Sequence, residues 1–406
     1  MFDDSLLDDP AALQRADRDH ALLALAQAGA RVRTALRQAD AAGLTGLRPD
    51  GRPRTVVVAG HGSALAAGRA LDALAVTGCQ ILPLAPSDAA PAERGEFGPA
   101  AFTAGLVWQL PGWTGHFDLV VLASAQGNEQ GLIGLAEQAY ARGCAIVVIA
   151  PEGSPLAGAA LQVRGLPLPY VPLNLIGVAQ DEVRPGGNEP DLPAEEPGAL
   201  WALLAPLLAL TEKIGVTQLP PGSLEATADR LDETAVRCRP DAALYLNPAK
   251  ELAAQLSDTV PLVWAEGPVA GAVAERFAAM LAERAGRPAL TGLLPGAITA
   301  HRGMFVGQLA SASADPDDFF RDRVEEPDPL QLQVLLLRRT PEENGERAEE
   351  ARPAVHSVQR AHRLAEAHEV RLTEYTSDRP DPLQALAELV ALTDFAAVYL
   401  GLATSG

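Results

Sequence analysis

Four small or polar residues in one short stretch, Ser124, Gln126, Gly127 and Asn128, have the groups to hold an anion. Hydroxyl and amide groups donate hydrogen bonds, and a glycine lets the backbone approach a ligand closely. Their place matters as much as their type. They follow the apolar run at 119–123, which reads as a strand buried on both faces, and they precede apolar positions 132, 135, 136, 139 and 140 at helical spacing. Residues 145–150 (AIVVIA) then read as a second buried strand, so the order is strand, turn, helix, strand, and the crossover favours parallel pairing. In open parallel sheets ligands sit beyond the carboxyl ends of the strands, where loop amides and the positive end of the next helix favour negative charge. Glu129 is the discordant neighbour, because a carboxylate beside a phosphate dianion repels it.

A second turn of small residues, Gly60, His61, Gly62 and Ser63, follows TVVVA at 55–59 and precedes a helix reaching about residue 76. As a dinucleotide fingerprint it fails. The third glycine position holds Leu65, and Leu84 ends the next strand where an acidic ribose partner belongs. His61 is open to two readings, a ligand contact or a cap on the helix, and Glu266, at the end of PLVWA (261–265), reads equally as a cap or a cleft residue. No metal or cofactor is expected. Cys79, Cys144 and Cys238 are far apart and read as reduced, buried thiols; His356, His362 and His368 fall six apart, which turns successive rings to different helix faces.

The elements that must position these residues fit an α/β chain. With 406 residues there is enough length for two cores of ordinary size, and 48% hydrophobic content broken by polar stretches reads as globular. The longest strictly apolar run, 199–210, is too short to span a bilayer and contains Pro206. A net charge of −20 opposes nucleic acid and anionic membrane as partners, while leaving room for a small phosphate held in a local nest. The acidic opening residues do not have the charge pattern of a leader, so the cytoplasm is the expected compartment. Lys213 and Lys250 are the only lysines.

Along the chain, residues 1–50 read as a helical lead-in with Asp8 or Asp9 capping before Pro10, 51–180 as a first domain, 181–220 as an acidic, proline-rich linker and helix, and 221–406 as a second domain. The first domain's strands are expected at 55–59, 79–84, 119–123 and 145–150, with a weaker one near 161–164. Those of the second are expected at 261–265, 289–294, 331–337 and 369–374. Helices are expected at 198–214, 222–238, up to about 285, 353–367 and 381–394, with 340–353 as a charged loop. Both halves repeat one order of buried strand, small-residue turn, helix and strand, which implies two similar, doubly wound, mainly parallel domains.

These motifs resemble the SIS (sugar isomerase) domain, and the paired layout is similar to the bifunctional phosphoglucose/phosphomannose isomerases, which interconvert aldose and ketose 6-phosphates. The resemblance covers most of the chain as pattern and is sharp near 55–65, 118–157 and 260–305. Ser124, Gly127 and Asn128 match the family's S-x-S-G-x-T phosphate loop, while Gln126 and Glu129 stand where it has a hydroxyl and a threonine. Gly60, Gly62 and Ser63 resemble its glycine-rich turn, with the hydroxyl displaced by one position. The resemblance implies a sugar phosphate held by Gly60, Gly62, Ser63, Ser124, Gln126, Gly127 and Asn128. It implies Glu283 as the base for the enediol step and His301, after Leu294 and Pro295, as the ring-opening group. Here Gly296 replaces the family's glutamate, His301 lies two residues further on, and no lysine follows Lys250, so the family's carboxyl-terminal lysine is missing or covered by an arginine. A flavodoxin-like fold and a homodimer are the further implications. A non-catalytic regulatory protein binding a sugar phosphate or nucleotide sugar is the alternative.

Overall fold

The computed structural model describes residues 2–47, 51–75, 78–89, 105–173, 195–196, 198–307, 330–340 and 347–404. Two compact units emerge, one formed by Arg18–Asp232 and one by Met1–Asp17 together with Glu233–Gly406.

In the Arg18–Asp232 unit the strands β1 (Thr55–Ala59), β2 (Gln80–Leu84), β5 (Asp118–Ala123), β6 (Ala145–Pro151) and β7 (Leu166–Tyr170) form a five-stranded sheet in the order β2-β1-β5-β6-β7. All its pairings are parallel. Short strands β3 (Asp88–Ala89) and β4 (Leu106–Val107) pair separately and antiparallel. β1 and β5 are buried along their whole length, as apolar runs without alternation require of strands covered on both faces. On one face Val57, Val120, Leu122 and Val148 meet Leu132, Leu135 and Ala136 of α6 (Gln130–Ala141) and Leu156 and Ala160 of α7 (Pro155–Gln162). Full burial of each such leucine or valine contributes about 1.5–3 kcal/mol. On the other, Gly68 of α5 (Gly62–Leu74) lies against Val58, and α8 (Ala199–Lys213) packs on α5 and on α4 (Ala28–Ala41).

The strand expected near 161–164 is instead the end of α7 and its exit. Ser154 caps the helix by accepting from Ala157 N, Pro155 occupies its first turn, and Leu161 lies inside it. The strand comes later, as β7, where Pro167 and Pro169 are tolerated because β7 is at the sheet's edge. Of the expected acidic linker, residues 181–194 lie outside the described residues.

In the other unit β8 (Thr259–Ala265), β9 (Leu290–Leu293), β10 (Gln331–Arg339) and β11 (Arg371–Ser377) form a parallel sheet in the order β11-β10-β8-β9. Leu262, Trp264, Leu332, Val334 and Leu336 pack beneath Val358, Ala361 and Ala365 of α13 (Arg347–Ala367). This helix begins at Arg347, inside the stretch expected as a charged loop. Its alanine, glutamate and arginine residues are good helix formers whatever their charge, and 341–346 lie outside the described residues. The other face takes α11 (Gly267–Ala285) and α14 (Pro382–Thr404). α14 runs ten residues past its expected end at 394 and is apolar nearly all round; by length and composition it could cross a membrane, but 89% of its most apolar window is buried inside the protein.

Residues 1–17 cluster with this second unit, and the interactions show why. Leu7 and Leu13, on α1 (Asp4–Leu7) and α2 (Pro10–Ala16), are fully buried. Asp9 caps α2 by accepting from Ala11 N and Ala12 N. Lys250, on α10 (Pro248–Leu256), is wholly buried and donates to Leu7 O at 2.5 Å and to Pro240 O and Ala242 O at 2.7 Å, with Tyr399 beneath its ammonium. Burial lowers its pKa, and three carbonyls replace its lost hydration. One of the chain's two lysines is thus committed to structure. The three cysteines are free and buried as expected, and burial pushes the Cys238 thiol up to about 12.

Candidate functional site

Where chain order in a parallel sheet reverses direction, the loops on either side part and leave a crevice at the carboxyl ends of the strands. In the first sheet that point lies between β1 and β5. The loops that leave these two strands are the two singled out above, Gly60 to Ser63 and Ser124 to Asn128. The topology therefore brings them to one place.

Glycine is needed here sterically. A Cβ on Gly60 would meet Ala64 Cβ at 2.5 Å and Ala123 O at 2.7 Å, and Gly127 has φ +73° with its α-carbon against Ser154. Gly127 O also accepts from Leu156 N at 2.9 Å, which ties the loop to the start of α7. Within the loop Ser124 Oγ accepts from Gln126 N at 3.0 Å and Gly127 N at 2.7 Å, and donates to Glu129 Oε1 at 2.6 Å. The serine expected to meet a phosphate is thus engaged with its own loop. Asn128 Oδ1 is a buried acceptor with no partner among the described residues.

Glu129 occupies the N-cap position of α6 but makes no side-chain cap; it turns inward and is 0% exposed. Its Oε1 lies 3.0 Å from His61 Nε2, while its Oε2 is buried without a partner among the described residues. Burial opposes ionisation, but the hydrogen bonds from His61, Ser124 and the residue's own backbone amide outweigh it and hold the carboxyl below its ordinary range. His61, at the N-cap of α5, also makes no side-chain cap, so the helix-capping reading gives way to contact with Glu129 and, at 6.4 Å between ring centroids, with Trp108. Trp108 itself is fixed by donating from Nε1 to Leu84 O at 3.2 Å.

The amino terminus of α5 already receives an anion, the side chain of Glu195. Ser63 N donates to Glu195 Oε1, beside Gly62, which has φ +52°. The neighbouring Glu196 is anchored by an ion pair with Arg31, by Tyr170 OH at 2.5 Å and by Leu173 N at 3.1 Å. Neither glutamate was singled out from the sequence. In a proline-rich acidic stretch nothing distinguishes one carboxylate from the next until the fold sets one of them on a helix end.

The second sheet reverses between β8 and β10, and there too charged residues meet. Glu266 Oε2 accepts from Arg338 Nε at 2.5 Å, Arg338 Nη1 reaches Glu374 Oε2 at 3.1 Å, and Glu374 also pairs with His362. Glu266 makes no side-chain cap on α11; its carboxylate is paired with Arg338 instead. His301 Nδ1 accepts from Trp264 Nε1 at 2.9 Å, and burial lowers its pKa, so a neutral ring carries its hydrogen on Nε2. Glu283, near the end of α11, is 36% exposed and pairs with Arg284 at 3.2 Å. His368 packs its ring against Phe305, so His362 and His368 face different partners.

Two mainly parallel sheets wrapped by helices, each with polar residues at its switch point, make this a doubly wound α/β protein. Residues 246–405 match the family described as the bacterial phospho-glucose isomerase C-terminal SIS domain. Among solved structures, the chain is similar to a hypothetical protein from Thermus thermophilus, with 15% identity, a TM-score of 0.58 and coverage of 98% of this chain and 89% of that one. It is similar also to a candidate phosphosugar isomerase from Salmonella typhimurium, with 14% identity, a TM-score of 0.52 and 91% and 94% coverage. A third is the C-terminal domain of glucosamine-fructose-6-phosphate aminotransferase from Francisella tularensis, with 12% identity, a TM-score of 0.51 and 95% and 97% coverage. At these identities the likeness shows the fold. No curated protein matches the sequence.

Proposed function

We propose that the protein binds a sugar phosphate in the switch-point crevice of the Arg18–Asp232 unit, with the phosphate on the amino terminus of α5 and the sugar hydroxyls against the loop at 124–128. The observation that carries this reading is the Glu195 carboxylate on Ser63 N, since amides that take a carboxylate at a helix amino terminus also suit a phosphate oxygen. The SIS fold and the match to a phospho-glucose isomerase domain support hexose 6-phosphates, with mannose 6-phosphate and glucose 6-phosphate the first to test. A cytoplasmic homodimer is part of the same proposal.

One observation favours the second reading, a sugar-phosphate binding protein that does not use Glu283 as a base. The Glu283 carboxylate is more than a third exposed and is paired with Arg284, its neighbour on the helix, where a general base needs to be free to reach the substrate's proton. The test is calorimetric titration with mannose 6-phosphate, glucose 6-phosphate and the two free sugars, beside a coupled isomerase assay. Saturable binding that needs the phosphate is the expected result. Absence of binding by every phosphorylated sugar sinks the reading.

A further inference from the structure

The discordant residue of the phosphate loop has a partner. We propose that His61 and Glu129 form an acid–base pair that moves a proton on the ligand held in this crevice, with His61 the catalytic residue and Glu129 the residue that positions it. The inference rests on the sugar-phosphate reading above and adds an activity to it.

The geometry carries it in three steps. Glu129 Oε1 lies 3.0 Å from His61 Nε2 and accepts in addition from Ser124 Oγ at 2.6 Å, so the carboxylate is an acceptor held by two donors. An ionised carboxylate facing Nε2 fixes the hydrogen there, which makes Nδ1 the nitrogen with a free lone pair. Nδ1 has no hydrogen-bond partner among the described residues, and the ring is partly exposed while the carboxylate behind it is fully buried. Imidazole in front and carboxylate behind is the arrangement that lets a histidine take a proton and hold the resulting charge.

The placement agrees. His61 leaves β1, Glu129 follows β5, and these strands flank the reversal of chain order. Ser63, two residues after His61, offers its amide to an anion, so a phosphate there brings the carbon chain of a sugar past the imidazole. Glu129 is a poor choice for touching a phosphate and a good one for supporting a histidine, which accounts for its type and its burial together.

For an open-chain aldose 6-phosphate, His61 Nδ1 takes the proton from C2 as the C2–H electron pair forms the C1–C2 double bond and the carbonyl electrons move to O1. O1 gains a proton, O2 loses one, and the imidazolium returns its proton to C1. C2 is oxidised as C1 is reduced, so no external oxidant or reductant enters.

The experiment is proton NMR of glucose 6-phosphate, mannose 6-phosphate and fructose 6-phosphate with the full-length protein in deuterated water. Deuterium incorporation at C1 or C2 is followed, and binding is read in the same samples by saturation transfer. The wild-type protein is expected to exchange the proton, and His61→Gln and His61→Asn to slow exchange by about 10²-fold or more while still binding. Glu129→Gln is expected to slow exchange with little change in affinity, and Glu129→Asp to restore part of it, a rescue that a merely structural carboxylate would not show. Glu283→Gln is the comparison and is expected to keep exchanging. Circular dichroism confirms that each variant folds, and two different histidine replacements guard against one that does not. Exchange that survives both His61 variants, or that is lost only in Glu283→Gln, overturns the pair. Binding without exchange in the wild type overturns it while leaving the binding reading intact. Absence of binding by all three compounds removes that reading and the pair's role with it.

Discussion

Glu195 and Glu129 put carboxylates where a sugar-phosphate site would be expected to have donors, and each has a separate consequence. Glu195 sits on the α5 amide that a phosphate would use. Replacing it by glutamine removes a competing charge, so Glu195→Gln should tighten binding of inorganic phosphate and of glucose 6-phosphate by about tenfold, near 1.4 kcal/mol. Calorimetry reads this directly, and unchanged or weaker affinity would count against the α5 terminus as the phosphate position. Against the opposing effect of burial, His61 and Ser124 hold Glu129 below its ordinary carboxyl range. A depressed folded pKa contributes stability above the unfolded pKa and loses it as pH falls through the folded one. The stability gap between the wild type and Glu129→Gln should therefore be widest above the ordinary carboxyl range and narrow as the pH falls below it. Urea denaturation at a series of pH values measures it; a gap that does not narrow would mean the carboxylate is not held ionised.

Among the elements, α11 and α14 are joined by a buried pair that neither helix's pattern reveals. Arg276 donates to Asp394 from Nε at 2.9 Å and from Nη2 at 2.7 Å, with both side chains nearly inaccessible. Such a pair is costly to break because the survivor keeps a buried charge without its bidentate partner. Asp394→Ala should destabilise the fold by about 3–5 kcal/mol, and the double change Arg276→Met with Asp394→Leu should recover most of that. Chemical denaturation midpoints decide between them; equal losses in both would show that the pair contributes more than its own cancellation. An aspartate in the middle of α14 reads in isolation as a blemish in an apolar helix. The arginine that accounts for it lies 118 positions earlier, beyond any local pattern.

At the scale of the whole molecule, the opening residues belong with the carboxyl-terminal unit. Asp3 N donates to Ala403 O at 3.0 Å, Leu244 N to Asp8 Oδ1 at 2.7 Å, and Lys250 to Leu7 O. Removing residues 2–17 takes away two fully buried leucines, Leu7 and Leu13, and leaves a buried ammonium short of a carbonyl. The truncated protein should lose about 3–6 kcal/mol by the cost of those leucine contacts alone. A thermal melt indistinguishable from that of the full chain would show that the segment merely rests there. The proposed homodimer is checked by light scattering on the same samples.

The sequence by itself determined the class of fold and the places where chemistry could occur. Unbroken apolar runs such as TVVVA and AIVVIA read as doubly covered strands, and small residues after them mark the turns, because burial and backbone sterics act locally. It placed Ser124, Gly127, Gly60 and Gly62 in such turns for that reason. It could not tell that Ser124 would bond to its own loop, that Glu129 would turn inward to His61, or that Glu195 would cap α5. His61 and Glu129 are 68 positions apart, and Ser63 and Glu195 are 132 apart. Their meetings depend on the order β2-β1-β5-β6-β7, which decides which loops become neighbours, and strand order is a property of the assembled sheet that no single stretch of chain encodes.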